Sequence, residues 1–141
     1  MRKLLFLVFW VAVVAMSQSA VAQTTEPAVG WFESGRVKGS ISIPSFKRLI
    51  AEKPTAVHLI DVSSAREFGP GSIKGAVNIP INQFEKQVAN LPNDKPIIFF
   101  CTTGGRASEA YDTAMLLRPE LTVYFLDAQV QIQPDGNPSI R

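Results

Sequence analysis

The stretch "CTTGGRAS", residues 101–108, places a thiol, two hydroxyls, a glycine pair and a guanidinium in succession. Cys101 is the chain's only cysteine, and it ends the apolar run "PIIFFC". A thiol at the end of a buried strand is often an inert core group, but that reading accounts for neither Gly104 and Gly105 nor Arg106. If a helix follows the glycines, the loop amides can turn inward and the helix N-terminus points at whatever the loop holds. Such a loop is an anion cradle with a thiol at its base. It favours thiolate over thiol, and thiolate is the nucleophilic form.

The flanking segments supply the strand and helix that this chemistry needs. "PIIFFC" (96–101) is continuously apolar, as expected for the centre of a parallel sheet, and "EAYDTAMLLRP" (109–119) reads as a helix with Ala110, Tyr111, Ala114 and Leu117 inward, stopping before Pro119. Upstream, Ser42 is an N-cap for a helix with Pro44 in its first turn and Phe46, Leu49 and Ile50 on one face, ended by Pro54. "AVHLIDV" (56–62) and "AVNIP" (76–80) read as strands, "INQFEKQVANLP" (81–92) as a helix and "TVYFLD" (122–127) as a further strand. Strands alternating with helices on short connections predict an α/β fold, a central mainly parallel sheet with helices on both faces. At the end, Ala128, Val130 and Ile132 alternate with glutamines before the turn signal "PDGN", which predicts a small C-terminal hairpin.

The amino end has its own logic. Arg2 and Lys3 precede an apolar run from Leu4 to Met16 and an Ala20-Val21-Ala22 site, the pattern of a secretory signal cleaved after Ala22. The run is shorter than the roughly 20 apolar residues of a spanning helix. The expected organisation is therefore a signal peptide over 1–22, a flexible leader over 23–30 and one domain over 31–141, in a periplasmic or secreted protein with no membrane attachment after cleavage. Removing residues 1–22 from the 141 leaves 119, enough for one domain with a core. The 14 Lys+Arg against 12 Asp+Glu become 12 against 12 once Arg2 and Lys3 are gone. That balance gives no electrostatic case for nucleic acid or anionic lipid as a partner. A lone thiol cannot close an internal disulfide, so Cys101 is buried and inert, paired between chains, or reactive.

Counting separates two enzyme groups that use such a cradle. Cysteine phosphatases place arginine after five intervening residues, whereas here Thr102, Thr103, Gly104 and Gly105 alone separate Cys101 from Arg106, and position 107 is alanine. The shorter loop resembles that of the rhodanese sulfurtransferases. "LIDVSSAREFGPGSIKGAVNIP" (59–80) is similar to the same family's strand, loop and strand segment, through Asp61, Glu67-Phe68, Gly71, Ile73, Gly75-Ala76 and Asn78-Ile79-Pro80, so the resemblance runs from about Ser42 to Asp127. It implies a rhodanese-like domain in which Cys101 takes sulfur from a small sulfur-containing anion such as thiosulfate and yields it to a thiol or cyanide. It further implies that Cys101 and Arg106 are catalytic, that Thr102, Thr103, Gly104 and Gly105 bind substrate, that Asp61 supports the loop, and that no metal or organic cofactor is required. The chain departs from the family pattern at Ser63, where arginine is common, at Ser72, where histidine is common, and after Asp127, where a glycine pair usually leads to a tryptophan. Arg66 is a candidate substitute for the missing arginine.

A second class of function stays open. The same fold and cradle would suit a non-turnover persulfide carrier, a redox sensor or a docking module for another exported protein. Elsewhere bland roles suffice: His58 as a structural histidine, Trp31 and Phe32 at the start of the ordered core, and Lys47-Arg48 as a solvated pair.

Overall fold

The computed structural model describes residues 32–141. The expected signal peptide, leader and Trp31 lie outside the described residues. In chain order the elements are β1 (Ser40–Ile41), α1 (Ile43–Glu52), β2 (His58–Asp61), α2 (Ala65–Phe68), β3 (Val77–Asn78), α3 (Ile81–Gln87), β4 (Ile97–Phe100), α4 (Gly105–Leu117), β5 (Val123–Leu126), β6 (Val130–Ile132) and β7 (Pro138–Ile140). Strands β1 to β5 form one parallel sheet in the order β1-β5-β4-β2-β3, and β6 and β7 pair antiparallel as a separate hairpin.

Alternation along β4 divides the core. Ile97 and Phe99 point into a cluster that includes Phe84 of α3 and Ala107, Ala110 and Ala114 of α4, while Ile98 and Phe100 point into one that includes Phe46 and Leu49 of α1 and Val130 and Ile140 of the hairpin. Burial on both faces is why β4 reads as an unbroken apolar run. The rings of Phe84 and Phe99 meet edge to face at 5.2 Å, and burying a side chain of this kind contributes about 1.5–3 kcal/mol. The three alanines let α4 lie close against the sheet.

The expected elements are present with several corrections. Helix α4 starts at Gly105, and Leu117, expected inward, is 46% exposed in its final turn. The helix expected over 81–92 is α-helical only to Gln87, and Val88–Asn90 form a 3-10 turn. Strand β1 lies within the expected domain but ahead of the first element expected there, the helix after Ser42; its Ser40 and Ile41 align with Phe125 and Leu126 of β5. Helix α2 fell within the segment read as a loop. Its start is written in the sequence as Ser64-x-x-Glu67, a capping box: Ser64 Oγ accepts the Glu67 N–H while the Glu67 carboxylate accepts the Ser64 N–H.

The topology locates a crevice before any side chain is considered. From β2 the chain moves outward to β3, then returns across β2 to β4 and continues to β5 on the other side. The reversal lies between β2 and β4, and in open α/β sheets ligands bind beyond the carboxyl ends of the strands at such a point. Asp61 ends β2 and Cys101 directly follows β4, with Asp61 in register with Phe100.

Candidate active site

Cys101 is 1% exposed, and the amino end of α4 begins four residues later. Its Sγ accepts a hydrogen bond from the Gly104 N–H at 3.1 Å. Gly104 makes this possible by adopting φ +88°, where a side chain would be strained. An added Cβ would also stand 3.1 Å from the Ala128 backbone nitrogen and 3.2 Å from Asp127 Oδ1. At Gly105, by contrast, a Cβ would meet nothing within 4 Å, so the two glycines are not equivalent.

Arg106 sits in the first turn of α4, and its guanidinium reaches across to Glu67 of α2. Nη1 donates to Glu67 Oε2 at 2.6 Å and Nη2 to Glu67 Oε1 at 2.7 Å, with Nη2 also donating to Thr102 Oγ1 at 2.7 Å. The Thr102 hydroxyl donates to Glu67 Oε1 at 3.1 Å. The fork holds the Glu67 carboxyl well below the usual carboxylate range, with the Ser64 hydroxyl and amide adding to the effect. It holds Arg106 above its ordinary value, chiefly through Glu67, with Cys101 acting in the same direction.

Asp61 is 5% exposed and lies in the neighbouring strand end. Its Oδ1 accepts the Ser63 N–H at 2.9 Å and its Oδ2 accepts the Ser72 hydroxyl at 2.6 Å. Ser63 and Ser72, the two departures noted in the sequence, thus meet at one carboxylate. Asn78 of β3 fixes the same turn by donating to the carbonyls of Asp61 and Ser63, both at 2.9 Å.

Together these groups border a cavity of about 420 Å³ lined by the buried Cys101 and by Asp61, Ser63, Glu67, Ser72 and Thr102. Residues 130–133 of the hairpin also line it, in the part of the chain where the resembled family has a glycine pair and a tryptophan. The hairpin is tied to the loop by the Val130 N–H, which donates to the Thr102 carbonyl at 3.1 Å. Among the expected site residues, Cys101, Thr102 and Asp61 line this cavity; Gly104 reaches the sulfur through its amide; Arg106 acts through Glu67 and Thr102; Thr103 is exposed; and Gly105 starts α4.

Glu67 is a site residue whose role is not visible in the sequence. The capping-box spacing could have found it as a helix residue, but its fork with Arg106 joins positions separated by 39 in sequence. Remote from the cavity, His58 Nε2 lies 2.7 Å from Asp94 Oδ1, an exposed structural pair. Phe32 stacks edge to face on Tyr124 at 5.4 Å, as expected for a residue at the start of the core. Among the described residues there is no group of His, Cys, Asp and Glu that could hold a metal ion, and no helix long and apolar enough to cross a membrane.

Comparison with known proteins finds a family profile described as "Rhodanese-like domain" matching residues 42–130. A tRNA sulfurtransferase of Desulfurococcus amylolyticus is 34% identical over 64 residues, which are 45% of this chain and 12% of that protein. The human thiosulfate:glutathione sulfurtransferase is 29% identical over 92 residues, covering 55% of this chain and 78% of the relative. The chain therefore spans only a small part of the first of these relatives and most of the second. Among solved structures, a human single-domain sulfurtransferase superposes with TM-score 0.55 at 26% identity, covering 64% of this chain and 90% of that one.

Proposed function

The chain belongs to the rhodanese-like domain family, and from that premise we propose that it is a transferase carrying sulfane sulfur on Cys101. The observation that carries the proposal is the position of Cys101: the thiol lines an open cavity while a backbone amide at 3.1 Å and the start of a 13-residue helix face the sulfur. Sulfurtransferase relatives support sulfur transfer as the reaction class.

In the first step the Cys101 thiolate attacks the outer sulfur of thiosulfate or a similar donor. The new S–S bond forms at Cys101 as the donor's own S–S bond breaks, and sulfite leaves with the electron pair. In the second step cyanide or an acceptor thiolate attacks the terminal sulfur of the persulfide, the Cys101–S bond to it breaks, and the Cys101 thiolate returns. This is two-step covalent catalysis. The Gly104 amide and the α4 N-terminus stabilise the anionic sulfur, as do the amides of Thr102, Thr103 and Gly105 once a persulfide extends into the loop. Arg106, oriented by Glu67, holds the loop through Thr102 and supplies positive charge beside Cys101. Asp61 shapes the neighbouring turn.

The signal-like pattern over 1–22 supports work outside the cytoplasm on processed protein. A second reading, a persulfide carrier unloaded by another exported protein, is favoured by one observation: both terminal nitrogens of Arg106 are already engaged by Glu67, which leaves this cation less available to capture a free anion.

Intact mass after thiosulfate treatment, with and without cyanide, tests the proposal. The protein is expected to gain one sulfur atom and lose it to cyanide as thiocyanate, and Cys101→Ser is expected to abolish the gain while leaving the fold intact. A gain that survives Cys101→Ser places the sulfur elsewhere. Loading without steady turnover selects the carrier over the enzyme.

A further inference from the structure

The charges around the cavity do not match a doubly charged donor. Of the residues that line it, two are acidic, Asp61 and Glu67, and none is lysine or arginine. Glu67 is balanced by Arg106 through the fork. Asp61 has no such balance: its two oxygens are met by the Ser63 amide and the Ser72 hydroxyl, both neutral. The hairpin adds Gln131 and Gln133 to the lining, also neutral. Two cations stand behind the lining without being part of it: Arg106 Nη2 donates to Thr102 Oγ1 at 2.7 Å and Arg141 Nη2 to Gln131 Oε1 at 2.9 Å, and neither pairs with Asp61. The cavity therefore presents one carboxylate without an ion-pair partner in its own lining, near a sulfur that itself reacts as an anion, and a carboxylate partly shielded from water repels a like charge more strongly than one in bulk solvent.

We propose that Asp61 is a specificity-determining residue that makes the cavity select sulfur donors carrying at most a single negative charge over the thiosulfate dianion. The inference rests on the assignment of Cys101 as sulfur carrier. A matched donor is methanethiosulfonate, in which a methyl group replaces one charged oxygen of thiosulfate. Attack by the Cys101 thiolate on its outer sulfur leaves the Cys101 persulfide and releases methanesulfinate with the electron pair, so atoms and charge balance as they do for thiosulfate and sulfite.

The test compares kcat/KM for the two donors, with cyanide as acceptor, in the wild-type chain, in Asp61→Asn and in Ser72→Lys. Asparagine can still accept the Ser63 N–H and pair with the Ser72 hydroxyl, and Ser72→Lys leaves Asp61 in place while adding a cation beside it. Each variant is expected to raise the thiosulfate to methanethiosulfonate ratio of kcat/KM at least about fivefold, the scale of one partly solvated charge. The gain should lie mainly in a lower KM for thiosulfate. If Asp61→Asn fails to fold, Ser72→Lys decides alone. A ratio unchanged in the folded variants, with Cys101 still loaded by both donors, overturns the selectivity assigned to Asp61. If neither donor loads Cys101 in the wild-type chain, the sulfur-carrier reading falls and this inference falls with it.

Discussion

Glu67 holds Arg106 by both terminal guanidinium nitrogens, at 2.6 and 2.7 Å, while the same carboxylate accepts from the Ser64 hydroxyl at 2.6 Å and the Ser64 amide at 2.9 Å. One side chain therefore closes the first turn of a four-residue helix and orients the arginine of a different helix. An isolated helix of that length has no stability of its own. Its capping box and its ion pair with α4 make α2 a strut between the loop after β2 and the loop after β4.

The strut predicts the behaviour of Glu67→Gln. A neutral amide can cap Ser64 but cannot match a guanidinium with two charged oxygens, so Arg106 should lose its fixed orientation and Thr102 a partner. Sulfur loading, measured as kcat/KM for the donor, is expected to fall about tenfold, equivalent to about 1.4 kcal/mol, with the circular dichroism spectrum unchanged. Arg106→Ala should lower turnover at least as much, with little effect on folding. A folded Arg106→Ala protein with full activity would remove Arg106 from the mechanism.

The same pair sets a pH dependence. The Glu67 carboxyl is depressed in the folded chain from an ordinary value of 4.5, so its contribution to stability is fully present above that value and is lost as pH falls below it. Because the pair is partly exposed, solvent screening limits the contribution to about 1 kcal/mol or less. Urea denaturation should find wild type more stable than Glu67→Gln at neutral pH, with the difference shrinking below about pH 4.5. A difference that grows on acidification has the wrong sign for this account.

The parallel sheet was legible because its strands carry their burial in composition: Ile97 to Phe100 are apolar at every position, and each is fully buried. Cys101 was legible for a related reason, since a thiol, a glycine pair and an arginine are local in sequence and need only a strand and a helix to become a cradle. Strand β1 was not. Ser40 and Ile41 form two residues of strand whose pairing with β5 is a tertiary fact without a periodic signal. The Glu67 fork was hidden in the same way, because it joins the loop after β2 to the helix after β4 across 39 positions, and the meeting of Ser63 and Ser72 at Asp61 was hidden because it depends on how the irregular segment between β2 and β3 folds back on the strand end. Leu117 shows the limit of periodicity: it lies seven residues beyond Ala110, on the same face of α4, yet in the last turn of the helix it is exposed while Ala107, Ala110 and Ala114 are buried.

The amino end yields a prediction independent of the site. A basic start, an apolar run too short to span a bilayer and an Ala-Val-Ala site occur in order, so protein expressed in a bacterial host with export machinery should be processed to begin at Gln23. Amino-terminal sequencing of periplasmic material checks this. Recovery of the chain from membranes with Met1 intact would reject it.

Gly104→Ala tests whether the cradle is built by backbone conformation. The position needs φ +88°, and an added methyl would press on the Ala128 nitrogen at 3.1 Å, which is backbone and cannot swing away. Strain of this kind costs about 1–3 kcal/mol, and turning the 103–104 peptide is the local way to relieve it. That movement would withdraw the amide now 3.1 Å from Cys101 Sγ. Gly104→Ala is thus expected to lower the urea midpoint and, among molecules that remain folded, to slow persulfide formation by about tenfold or more, since one preorganised donor to developing negative charge contributes on that scale. Gly105→Ala is the control: its added Cβ meets nothing, and alanine within the first turn of a helix is favourable relative to glycine. It should leave stability equal or slightly higher and loading close to wild type. Equal losses in the two variants, read by denaturation and by the rate of mass gain from a sulfane donor, would mean that loop flexibility and not the Gly104 amide governs the reactivity of Cys101.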